Sequence, residues 1–156
     1  MNEEITVRTE AADSLVAVRL VEAMVAEMEK LYDLPAGSGL GTGAPPADFA
    51  PPGGTFVVLY DGGRPVAGGG VKRSEDGVAE IKRMYVVPAA RRQGLGRRLL
   101  ETLEDAAREL DYARIRLDTG ARQPHAQAMY ERAGYRPIGN YNHNAQASFW
   151  GEKILR

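Results

Sequence analysis

The chain reads as an α/β protein, a single domain over residues 1–156 with one mixed sheet flanked by helices. Three observations carry that reading. The run TFVVLY at 55–60 opens a meander of three strands, separated by the turns Asp61-Gly62-Gly63 and Ser74-Glu75-Asp76-Gly77. Two longer stretches, 14–32 and 95–110, place apolar residues at steps of three and four. Short alternating runs and one more helix then complete the order β, α, loop, βββ, α, β, α, ββ, the pattern of a mixed-sheet domain.

Each element has its own warrant. Ile5 and Val7 alternate with Thr6 and Arg8, an opening strand. Asp13-Ser14 signals a helix N-cap, and Leu15, Val18, Val21, Val25, Met28 and Leu31 form the expected buried stripe of a helix running to about Tyr32. Pro35 to Gly54 holds 6 Gly and 5 Pro in 20 residues and breaks regular structure. Strands follow at about 55–60, 65–73 and 78–87, the Gly68-Gly69-Gly70 run marking a close approach inside the second. After Pro88, Leu95, Leu99, Leu103, Ala106 and Leu110 define a helix of about four turns with a charged opposite face. ARIRLD at 113–118 alternates as a strand. Pro124 suits the first helical position, Gly134 the stop, and 135–138 and 147–154 close the sheet.

Composition excludes several functions. There is no cysteine, which removes a disulfide scaffold, a thiolate metal site and a covalent Cys intermediate. Two histidines, His125 and His143, without HxxxH spacing leave no metal site to expect. The amino terminus has acids where a signal peptide carries bases, and no apolar run is long enough to span a membrane, so a cytoplasmic protein is expected. The net charge of −1 hides an asymmetry: residues 1–80 carry 13 acids and 6 bases, residues 81–156 carry 8 acids and 14 bases. Six bases and no acid fall within 82–98. So compact a basic patch on a near-neutral chain suits a small polyanion rather than a nucleic acid.

The patch coincides with Arg91-Arg92-Gln93-Gly94-Leu95-Gly96, between a strand and a helix. A helix N-terminus offers backbone N–H groups without internal partners and a partial positive charge. Glycines at 94 and 96 let a ligand reach those amides, and the arginines add full charges, the requirements of a pyrophosphate cradle. The loop is neither a dinucleotide fingerprint nor a P-loop, since the third glycine and the Gly-Lys-Ser/Thr are missing.

In context, AEIKRMYVVPAARRQGLGRRLLETLEDAA resembles the acyl-CoA-binding core of the GNAT family of N-acetyltransferases, with Arg91-x-x-Gly94-x-Gly96 in the place of its R/Q-x-x-G-x-G/A loop. Residues Gln123 to Tyr135 resemble the family's second signature, N-x-x-A-x-x-L-Y-x-x-x-G-F. The likeness is close over about 55–140. It implies a mostly antiparallel sheet in which two parallel neighbours, about 78–87 and 113–118, splay apart around acetyl-CoA. Main-chain groups of Met84 and Val86 would pair with the pantetheine arm, and the pyrophosphate would meet Arg91, Arg92, Gln93, Gly94, Leu95, Gly96 and Arg97. Gln123 stands where many relatives have asparagine.

The implied reaction is attack of a small primary amine on acetyl-CoA in a ternary complex. Only the neutral amine attacks, so a general base is useful, and the expelled thiolate leaves more easily when protonated. By resemblance, Glu80 is the expected base and Tyr130 the expected acid. The acidic first half suits a cationic acceptor, and the polar loop Asn140–Asn144, with His143, can border its site; Trp150 reads as packing. The partners expected are acetyl-CoA and a small amine, with no nucleic acid or membrane, for a monomer or homodimer. The alternative is a catalytically silent acyl-CoA-binding sensor or interaction module. The 35–54 stretch would then supply a mobile lid over the amine.

Overall fold

The computed structural model describes residues 4–38 and 43–155. Its elements follow the expected order: β1 (Ile5–Thr9), α1 (Leu15–Leu31), β2 (Thr55–Asp61), β3 (Arg64–Glu75), β4 (Val78–Val86), α2 (Leu95–Glu109), β5 (Arg114–Gly120), α3 (Pro124–Arg132), β6 (Arg136–Pro137) and β7 (Ala147–Ile154). The strands form one sheet in the order β1-β2-β3-β4-β5-β7-β6. All neighbours run antiparallel except β4 and β5, so this is the mixed, mostly antiparallel α/β fold anticipated from the sequence. Among the described residues no helix is long and apolar enough to cross a membrane.

The parallel pair is short. It joins Val78 to Arg114, Ala79 to Ile115 and Glu80 to Arg116, and then the strands part. The cause lies on both sides. β4 stays with β3 but carries a register shift there, with Arg83 at φ 61°, the signature of a bulge that bends the strand. β5 instead stays paired with β7 as far as Gly120. Each strand follows its outer neighbour, and a wedge opens beyond Glu80.

Apolar side chains divide between the two faces. Val71, Ile81 and Leu117 join Leu99 and Leu103 in the core beneath α2. Phe56, Val58 and Tyr60 pack with Ala17 and Leu20 of α1 on the other face. Ser14 caps α1 as expected, its Oγ accepting from Ala17 N at 3.2 Å. The buried stripe of α1 differs from the one expected: Ala17, Leu20 and Met24 face the sheet, while Leu15 is 65% exposed. Val18, Val21 and Val25 flank that stripe half-buried. In the glycine run, a Cβ at position 70 would lie 2.7 Å from Phe49 Cε1, and one at 68 would lie 2.9 Å from Leu20, which is the close approach expected there.

The Gly/Pro stretch is not all irregular. Pro46–Phe49 form a 3-10 turn, and Phe49 is 2% exposed, edge-on to Phe56 at 6.3 Å. Arg83 lays its guanidinium over the Phe49 ring at 4.8 Å and donates to the Ala44 carbonyl. The second half of the expected lid is therefore strapped to the sheet; residues 39–42 of it lie outside the described residues.

Candidate active site

The β4–α2 connection forms as its glycines dictate. Arg92 and Gly94 both adopt positive φ, 65° and 78°, and Gly94 is the N-cap of α2. The left-handed conformation at 94 costs glycine little, and a side chain there is strained. The first intrahelical bond at this end runs from Arg98 N to the Gly94 carbonyl, so the amides of Leu95, Gly96 and Arg97 precede it. Arg92 and Gln93 stand exposed, with no side-chain hydrogen bond among the described residues. Arg97 pairs with Glu101 at 3.3 Å along its own helix.

Arg91 is more committed than the sequence suggests. Its Nη2 donates to both oxygens of Glu27 on α1 at 2.9 Å, its Nε donates to the Val86 carbonyl at 2.9 Å, and its guanidinium stacks over Tyr85. Tyr85 in turn donates to Glu27 Oε1 at 3.0 Å. Burial alone would raise the Glu27 carboxyl, but the bonds from Arg91 and Tyr85 and the Arg91 charge together hold it below the ordinary carboxylate range. Any anion reaching Arg91 would have to compete with Glu27. Val87 N bonds to Val66 on β3, so the alternate residue Val86 turns its main-chain groups toward the wedge.

Glu80 closes the narrow end of the wedge. It is 4% exposed, and its Oε2 accepts from the Tyr141 hydroxyl at 2.8 Å and from Asn142 Nδ2 at 3.0 Å, with Lys82 Nζ at 3.3 Å. Its Oε1 faces Lys72 Nζ at 3.7 Å. Asn142 also donates to Asp118 on β5, and Lys82 lies 3.6 Å from the same carboxylate. Asn144 donates to Asp118 at 3.3 Å, and the Trp150 indole fixes Asn142 through its Oδ1 at 3.0 Å. Burial and the charge and hydrogen bond of Glu80 push the Tyr141 hydroxyl well above the usual tyrosine range.

Tyr130 enters from the α2 side of the sheet. It is buried, stacks edge-on with Tyr135, and its hydroxyl donates to Met84 Sδ at 3.8 Å. Desolvation, helped by the Asp118 charge, pushes it up to about 12, so it is a protonated donor at neutral pH. Gln123 is occupied locally: its Oε1 accepts from Gly120 N at 3.3 Å and from the Tyr32 hydroxyl at 3.2 Å.

The structure thus gathers Glu80 with Lys72, Lys82, Asp118, Tyr141 and Asn142, and sets Tyr130 against Met84. His143 is exposed in the β6–β7 loop and His125 on the first turn of α3. Trp150 was expected only to pack; it is a hydrogen-bond donor on the polar face, while Phe149 takes the core position. Lys72, Lys82, Asp118 and Glu27 carry no local motif. The signal available for the loop was its density of asparagines.

A sheet parted between two parallel strands, with a helix N-terminus at one end and a buried carboxylate at the other, defines an acyltransferase of the α/β class. The sequence profile of the acetyltransferase (GNAT) family matches residues 16–135. The chain belongs to that family. It is 31% identical over 134 residues to the N-acetyltransferase YjgM of Escherichia coli K12, itself uncharacterized, covering 81% of this chain and 78% of that protein. It is 39% identical over 90 residues to an IAA acetyltransferase of Azospirillum brasilense, a match covering 55% of this chain and only 59% of the relative. The fold superposes on PaiA N-acetyltransferase of Thermoplasma acidophilum, solved in complex with coenzyme A, with a TM-score of 0.74, 13% identity and coverage of 97% and 99% of the two chains.

Proposed function

We propose that the protein transfers an acetyl group from acetyl-CoA to the primary amine of a small molecule, by direct attack in a ternary complex. The observation that carries this is the wedge beyond Glu80 and Arg116, lined by unpaired strand edge and flanked by the α2 N-terminus. The cradle fits a pyrophosphate: the amides of residues 95 to 97 precede the first helical bond, and a Cβ at Gly94 would meet nothing within 4 Å. Met84 and Val86 would hold the pantetheine arm through main-chain groups, and Arg92, Gln93, Gly94, Leu95, Gly96 and Arg97 the phosphates. Arg91 would join them on leaving Glu27, and Gln123 on leaving Tyr32.

In this reading Glu80 takes the proton that the amine gives up, through Oε1, because two hydrogen bonds, from Tyr141 and Asn142, already occupy Oε2. The amine nitrogen forms its bond to the acyl carbon, the carbon–sulfur bond breaks, and the Tyr130 hydroxyl protonates the departing thiolate. A buried, protonated phenol already directed at a sulfur atom supports that role. The test is thiol release from acetyl-CoA by purified protein against a panel of amines. Thiol release that depends on amine supports the reading. Tight binding of CoA with no release from any amine would make the protein an acyl-CoA-binding module instead.

A further inference from the structure

We infer that the acceptor is an aminocarboxylate, such as an amino acid, its amine over Glu80 and its carboxylate held by Lys72 and Lys82. The inference rests on the acetyltransferase reading for the reaction but on separate residues for the acceptor. Val71, Ile81 and Leu117 point into the core under α2, so Lys72, Glu80, Lys82 and Asp118, their sequence neighbours, face the opposite side of the sheet. There they form one contiguous set: Lys72 to Glu80 at 3.7 Å, Lys82 to Glu80 at 3.3 Å and Lys82 to Asp118 at 3.6 Å.

The set is layered. Side-chain exposure is 5% for Glu80 and 12% for Asp118, but 19% for Lys72 and 29% for Lys82. The carboxylates are the floor and the ammonium groups the rim, so an arriving molecule meets positive charge first. The acidic surplus of the N-terminal half does not reach this basin, where two acids balance two bases.

That balance discriminates between acceptors. A simple amine would bring a third cation beside two ammonium groups. Once deprotonated for attack, it would give the lysines nothing. An aminocarboxylate brings its own anion, which pairs with the rim whatever the amine's protonation state. The lysines have donors to spare. Both contacts of Lys82 exceed ordinary hydrogen-bond length, and among the described residues Lys72 donates at 3.1 Å only to the carbonyl of its neighbour Arg73. The nearby arginines are engaged: Arg116 with Glu152 and Glu75, and Arg83 with Ala44 and the Phe49 ring.

The experiment compares thiol release for amino acids, their carboxamides and their decarboxylated amines, each with acetyl-CoA. The expected kcat/KM favours the free acid by roughly tenfold or more, the worth of one charge-assisted hydrogen bond. K72M should collapse the acid-to-carboxamide ratio toward one through KM, and K72R, which keeps the charge, should restore it. A preference for the carboxamide or the plain amine, or a ratio unchanged in K72M, overturns the inference while leaving acetyl transfer intact. If no acceptor releases thiol, acetyl transfer fails, and calorimetric titration of amino acids into the CoA-loaded protein decides the acceptor question. Binding weakened by K72M upholds the inference, and absent binding overturns it.

Discussion

The Tyr130 hydroxyl points at the thioether sulfur of Met84, 3.8 Å away, from a position 7% exposed. The same strand residue is expected to lend its main chain to the pantetheine arm. A donor already aimed at one sulfur needs little rearrangement to serve another. Tyr130→Phe is expected to lower kcat by roughly a hundredfold, the low end for a lost general acid, with CoA affinity nearly unchanged. Steady-state kinetics paired with CoA calorimetry checks this, and unchanged turnover would remove Tyr130 from the mechanism.

The same tyrosine sets a pH expectation. Its folded value of about 12 lies above the ordinary tyrosine value of 10.0. The stability it contributes is therefore complete below pH 10 and declines as the pH rises through 12. No fall in rate below about pH 10 should trace to Tyr130 ionisation, because a raised phenol remains protonated there. A basic limb of the pH–rate profile that disappears in the Phe variant would contradict this.

Glu80→Gln tests the base. Glutamine retains an oxygen for the Tyr141 and Asn142 hydrogen bonds but cannot accept the amine proton, and it leaves Lys72 and Lys82 facing one carboxylate fewer. The rate at neutral pH should drop by about a hundredfold, with CoA affinity nearly unchanged. A rate that stays within a few-fold of wild type assigns the base elsewhere.

Glu80 and Tyr130 could be named as candidates because each has a position fixed by the family likeness, Glu80 on the strand before the loop and Tyr130 in the helical signature. The turns, the two-glycine loop and the strand order were legible in the residues themselves, since φ > 0 and period-two alternation are written over a few residues. The basin around Glu80 was not. Asp118, Tyr141 and Asn142 reach it from other strands and from a loop some sixty residues away, and only strand pairing brings them there. The stripe of α1 was misjudged because LVAVRLVEAMVAEM is apolar around much of the helix. Periodicity alone could not tell that the sheet would select Ala17, Leu20 and Met24.

Glu27 and Arg91 couple α1 to the loop that opens α2, the proposed phosphate cradle. Glu27→Gln removes a negative charge beside the cradle and frees the arginine, so CoA should bind roughly two- to fivefold tighter, in keeping with an exposed pair. Because the Glu27 carboxyl is held below its ordinary 4.5, its stabilising pair is present above that pH and is lost as the pH falls through the lower folded value. The affinity gap between wild type and variant should therefore be constant at neutral pH and close in acid. Weaker CoA binding by the variant would show instead that the pair holds the loop in shape.

Phe49 tests whether the Gly/Pro stretch is a strap. Its ring is 2% exposed between Phe56, the Arg83 guanidinium and the bare backbone of Gly70. Phe49→Ala should cost about 3–5 kcal/mol in urea unfolding, the range for a large buried aromatic. Gly70→Ala drives a methyl into the same ring and should cost about 1–3 kcal/mol by overpacking. The two are in contact, so their effects should not add: with the ring gone, the methyl has room and its penalty should largely vanish. Full additivity in the double variant would mean that Phe49 does not occupy this seat in solution. A raised acceptor KM in Phe49→Ala, with CoA affinity unchanged, would place the strap's influence on the acceptor side of the sheet.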